Sequence, residues 1–195
     1  MTASARRCGP PFLAALAAFL FFLSAPAPAR AQNLVDTTWH LRPMTQAALR
    51  ERHRGIDVVG MQLPPKTEYD IPLADPAATV GKIKAAVDRV LQASPVAARG
   101  FETLSGAGQI RIIYDAAFPE RSLSRVIVAA FLVGEFQPQD GKRDFTVIVS
   151  RFGANWPVDE LAAVLVHELI GHGLQRLKNR FGNDRPIDLE CEARL

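Results

Sequence analysis

Two histidines, His167 and His172, stand five residues apart in a stretch that otherwise reads as one long helix, and no other feature constrains the chain as much. The helical pattern runs from Pro157 to about Arg180. Pro157 suits a first helical position, Asp159 and Glu160 place negative charge in the first turn, and Gly182-Asn183 ends the run. At about 100° per residue, positions five apart diverge by about 140°, so a straight α-helix would keep the two imidazoles from sharing one ion. A π-bulge, with its i to i+5 relation, would bring both rings onto nearly one face. Gly171 lies inside the affected turn and tolerates a distorted backbone, and Gly173 adds freedom just after it.

The segment His167-Glu168-Leu169-Ile170-Gly171-His172 is the H-E-x-x-H pattern of zinc peptidases lengthened by one residue. In the shorter pattern the histidines are four apart, roughly 40° from one another around the axis, and both reach one metal. The plain alternative for His167 and His172 is two histidines on a core helix.

The longer H-E-x-x-G-H form resembles the signature of dipeptidyl-peptidase III-type metallopeptidases, and His167 to Gly173 is similar to it at each defining position. That family takes its third zinc ligand from a helix containing Glu-Cys-x-Ala, and this chain has Glu190-Cys191-Glu192-Ala193. The resemblance covers two short motifs and implies neither the large two-lobed architecture nor dipeptidyl activity. In the wider group of glutamate-ligand zinc peptidases, the gluzincins, a Glu also follows on a later helix, often as Glu-x-x-Ala-acid. Glu190 matches the ligand slot, whereas the acid that would orient a histidine falls at Arg194, with Asp188 as a substitute.

The seventeen residues between His172 and Glu190 suit a helix end, a turn at Gly182-Asn183-Asp184 and a return helix from Pro186. Positions 190 and 192 point about 160° apart on a helix, so only one carboxylate faces the metal; Glu190 is preferred, with Glu192 as the alternative. The resemblance thus implies Zn2+ held by His167, His172 and Glu190, with a fourth position open to water. Glu168 is then the general base that takes the water's proton and hands it to the leaving amine. Cys191 reads as a small apolar position, not a thiolate ligand. His40, His53 and Tyr114 are weak candidates for a supporting role.

The start of the chain reads as an export address. Arg6 and Arg7 precede the apolar run Phe12 to Leu23, and Ala29-Arg30-Ala31 offers a small-x-small cleavage site, so residues 1–31 are expected to leave and the mature chain to begin at Gln32. That removal takes away Arg6, Arg7 and Arg30, so 23 basic against 20 acidic residues become 20 against 20. A neutral mature chain gives no reason to expect nucleic acid or an anionic membrane as partner. Cys8 leaves with the leader, and Cys191 alone cannot close an intrachain disulfide.

From Gln32 to residue 77 we expect an extended segment with one short helix, Met44 to His53, and a proline-rich connector from Leu63 to Pro76. Residues 78–195 read as the metallopeptidase-like domain. Val80, Ile83, Val87, Val90 and Leu91 give an amphipathic helix over 78–93 that Ser94-Pro95 stops. Gln109 to Tyr114, Arg125 to Phe136 and Asp144 to Ser150 read as strands, the last two as a hairpin. The expected fold is one α+β unit: a small, mostly antiparallel sheet packed on helices, zincin-like, with an active-site helix and a third-ligand helix at the C-terminus. The expected function is zinc-dependent hydrolysis of a peptide or protein substrate in the periplasm or outside the cell. The alternative is a non-catalytic envelope protein that keeps a metal or only the fold.

Overall fold

The computed structural model describes residues 42–65, 69–119, 126–132, 143–181 and 183–194. The expected leader 1–31, His40, Gly182 and the outer parts of the 125–136 run lie outside these residues. Among the described residues no helix is long and apolar enough to cross a membrane.

Among the described residues the chain is α+β, built on one five-stranded sheet. Strands β1 (Ala47–His53), β2 (Ile56–Met61), β3 (Gly108–Tyr114), β4 (Ala129–Leu132) and β5 (Arg143–Val149) lie in the order β1-β2-β3-β5-β4. The sheet is mixed, which corrects the mostly antiparallel expectation: β2, β3 and β5 run parallel, while β1 and β4 pair antiparallel at the two edges. The reason lies in the connections. Helices α1 (Pro76–Ala93) and α2 (Pro95–Ala107) form a crossover from β2 to β3, and the chain visits the far edge as β4 before returning as β5 beside β3.

Two elements escape a reading by periodicity. Met44 to His53 is rich in helix-forming residues, yet beyond a 3-10 turn at Met44–Gln46 it is strand, because pairing with β2 outweighs local preference. Arg54 (φ 50°) and Gly55 (φ 86°) both adopt positive φ, as a tight primed hairpin turn requires. At Ser94-Pro95 one helix does stop, but the same pair starts the next. The Ser94 hydroxyl accepts from the Ala97 N–H at 3.1 Å, and Pro95 takes the first helical position.

Alternate residues of the strands divide the core. Ile56, Val58, Ile110, Ile112, Tyr114, Phe145, Val147, Val149 and Phe131 pack with Val80, Ile83 and Val87 of α1, Leu104 of α2 and the apolar side of the histidine helix. Val59, Met61, Ile113 and, separately, Ala130, Leu132 and Ile148 are buried on the opposite face. Burial on both faces explains why the parallel strands read as continuous apolar runs.

Tyr114 is structural. Its buried hydroxyl donates to the Ala74 carbonyl at 2.9 Å and anchors the connector ahead of α1. Burial pushes its phenol up to about 12. Because the folded protein holds this acid neutral above its unfolded value near 10, the stabilisation is intact at neutral pH and is lost as pH rises from about 10 towards 12. Tyr114→Phe should cost about 1 kcal/mol in urea unfolding at neutral pH and reduce the alkaline loss of stability.

Candidate metal centre

The helix that begins at Val158 changes character where the histidines stand. Val158–Leu165 (α4) is α-helical, Val166–His172 is a π-helix, and Gly173–Leu177 (α5) is α-helical again. Pro157 caps the start from outside instead of occupying the first turn. With the turn widened, the His167 and His172 rings come to a centroid separation of 4.8 Å, edge to face at 77°.

The return helix, α6 (Pro186–Ala193), brings a carboxylate to both rings. Glu190 Oε2 lies 3.3 Å from His167 Nε2, and Oε1 lies 3.5 Å from His172 Nε2. One ligand atom from each of the three residues can be chosen so that all lie within 4.8 Å of one another. His172 is buried, while His167 and Glu190 are partly exposed, so the cluster opens to one side.

Gly171 explains how α6 comes so close, and its role differs from the backbone freedom expected of it. Its φ is not in the left-handed region; instead, a Cβ there would sit 2.7 Å from Ala193 Cβ and 3.0 Å from Ala193 Cα. A glycine on one helix facing an alanine on the other sets the distance at which Glu190 meets the histidines. Leu189 is the buried residue of α6.

Glu168 sits on the side of the edge strand β4. Its Oε2 accepts the Phe131 N–H at 2.9 Å, and its Oε1 lies 3.8 Å from His167 Nε2. Burial raises this carboxyl to about 8, the Phe131 N–H opposes the rise, and the charge of Glu190 adds to it. The Ser150 N–H donates to the Val128 carbonyl, so Val128 and its alternates face β5, while Ala129 and Phe131 turn their backbone groups away from β5, to the side that no other strand occupies among the described residues. An open groove of about 600 Å³ runs there, between Val126–Ala129 on one side and Val164, His167 and Glu168 on the other, with Arg194 also lining it. Strand β4 borders this groove, whereas β5 is enclosed between β3 and β4.

The remaining candidates lie elsewhere. Glu192 turns away from the histidines, accepting from Gln175 Nε2 at 3.1 Å and pairing with Arg180. Asp188 pairs with Arg185 at 2.7 Å and orients no histidine. Cys191 is exposed, not buried as an apolar position would be. His53 lies 3.0 Å from Asp88, by the opposite edge of the sheet. The residue the motifs do not single out is Gln175, buried and 2.8 Å from His172 Nδ1. Its only sequence signal is the i, i+3 spacing from His172, a neighbour on the same helical face. Comparison with protein-family models, with curated proteins and with solved structures finds no match to this chain.

Proposed function

We propose that this chain is an exported zinc-dependent peptidase of zincin-like fold that hydrolyses an extended peptide lying along β4. The observation that carries the reading is the convergence of His167, His172 and both oxygens of Glu190, with the buried Glu168 beside them. Two imidazole nitrogens and one carboxylate, without a thiolate, form a donor set suited to zinc. When bound, zinc would supply a Lewis acid that acidifies water and polarises a carbonyl.

The chain's own residues supply the rest. Glu168 Oε2 is steadied by the Phe131 N–H, which leaves Oε1 to take a proton from water and pass it to the departing amine. The Ala129 backbone and the Phe131 carbonyl at this edge would align a substrate backbone as an added strand, the Phe131 N–H being held by Glu168. The apolar groove walls at Val126, Val128 and Val164 favour apolar side chains next to the scissile bond. The leader read in residues 1–31 agrees with work outside the cytoplasm.

The purified chain should carry close to one zinc per molecule by elemental analysis, and His172→Ala should carry almost none. Removal of the metal by a chelator should abolish cleavage of an unstructured protein substrate, and added zinc should restore it. A metal content no different between wild type and His172→Ala would sink the reading.

A further inference from the structure

Glu190 meets each histidine at Nε2, and that arrangement depends on which ring nitrogen carries the proton. For His172 the surroundings decide. Gln175 is buried, and its amide nitrogen lies 2.8 Å from the Leu189 carbonyl and 3.1 Å from the Glu192 carboxylate. Both partners are acceptors, so the nitrogen of the amide must face them and the oxygen must face His172. That oxygen lies 2.8 Å from Nδ1, and an amide oxygen only accepts. With its acceptor at 2.8 Å, Nδ1 therefore bears the hydrogen of the neutral ring, and Nε2, whose acceptor Glu190 Oε1 is farther off at 3.5 Å, keeps its lone pair.

The amide is itself held. Glu192 pairs with Arg180, which also pairs with Asp184, so charges from the turn and from α6 lock the donor side of Gln175. Phe131 and Phe181 stand around the His172 ring with centroids at 6.4 and 5.9 Å, leaving the ring little room to turn over. The same Gln175 nitrogen that sets the tautomer also ties α6 to α5 through the Leu189 carbonyl.

From this geometry we infer that Gln175, backed by Glu192 and Arg180, is a positioning residue that fixes His172 as the Nδ1–H tautomer and so holds Nε2 ready for a metal. The inference deepens the zinc reading proposed above and rests on it for its purpose, but the tautomer is a property of the metal-free chain and is measured without any metal. It also gives Glu192, a candidate ligand by sequence, a different task at the same site.

Two measurements test it. In the metal-free full chain at alkaline pH, where imidazole is neutral, nitrogen NMR of the ring should show His172 protonated at Nδ1; the Nε2–H form there would overturn the inference. Gln175→Leu should mix the tautomers, weaken zinc binding by roughly 10- to 100-fold in a chelator competition, and alter the visible spectrum of the cobalt-substituted chain. An unchanged tautomer and affinity in Gln175→Leu would refute the role. If the wild type binds no zinc but shows the Nδ1–H form, the metal reading fails and the positioning of His172 stands.

Discussion

Glu168→Gln is expected to lower peptide hydrolysis by roughly a hundred- to ten-thousand-fold while leaving zinc bound, because the substitution removes a proton acceptor and no metal ligand. The amide is nearly isosteric with the carboxylate. Its oxygen can still accept the Phe131 N–H that Oε2 now takes at 2.9 Å, so the edge strand stays in place. What disappears is the site that receives a proton next to His167. Measured kcat should carry most of the loss and KM little of it, since the groove walls at Val126 to Ala129 and at Val164 are untouched. Zinc content equal to that of the wild type makes the loss interpretable. Full activity in this variant would remove Glu168 from the mechanism, and a wild type with bound zinc but no hydrolysis of any unstructured protein or peptide would favour a non-catalytic metal protein.

What the sequence discloses about this site follows from local geometry. The separation of His167 and His172 is legible because a helix turns by a fixed angle per residue, so a spacing of five forces the choice between a regular helix and a widened one. The π-helix at Val166–His172 is the widened form. Glu190 is legible through its motif, and the break at Asn183 and Pro186 leaves room for the chain to return. Gln175 is not legible. A glutamine in a helix is ordinarily a solvated residue, and only the approach of Leu189 and Glu192 from α6 gives this one its partners. The sheet shows the same limit. The continuous apolar runs of β3 and β5 follow from burial on both faces, but their parallel pairing depends on the chain's visit to the far edge as β4, and that of β2 with β3 on a crossover through α1 and α2, the second of which hides behind a proline that serves as both stop and start. Residues 47–53 mislead because strand pairing at a sheet edge is decided by β2, which lies beyond the turn at Arg54-Gly55.

The other large effect is expected at a residue with no side chain. Gly171→Ala introduces a methyl 2.7 Å from Ala193 Cβ, 3.0 Å from its Cα and 3.2 Å from its carbonyl oxygen. Two of those three atoms are backbone, so no rotamer change relieves the contact, and either α6 moves out or the π-turn gives way. Overpacking of this kind costs about 1–3 kcal/mol. Glu190 lies one turn before Ala193 on α6, so a displacement that relieves the clash carries its carboxylate away from both imidazoles. Were the whole cost to fall on that arm, zinc affinity would drop by roughly 5- to 150-fold. Gly173→Ala is the control, since its methyl would meet only side-chain atoms of Leu104, with Cδ1 at 2.8 Å and Cδ2 at 3.4 Å, and nothing of α6. There the gain of about 1 kcal/mol in helix preference opposes the crowding, and zinc binding should stay near the wild-type value. Equal zinc affinity in the two variants, measured by chelator competition, would show that the contact between Gly171 and Ala193 does not set the position of Glu190. A selective loss in Gly171→Ala would tie the third carboxylate to the histidine helix through the close approach of Gly171 and Ala193.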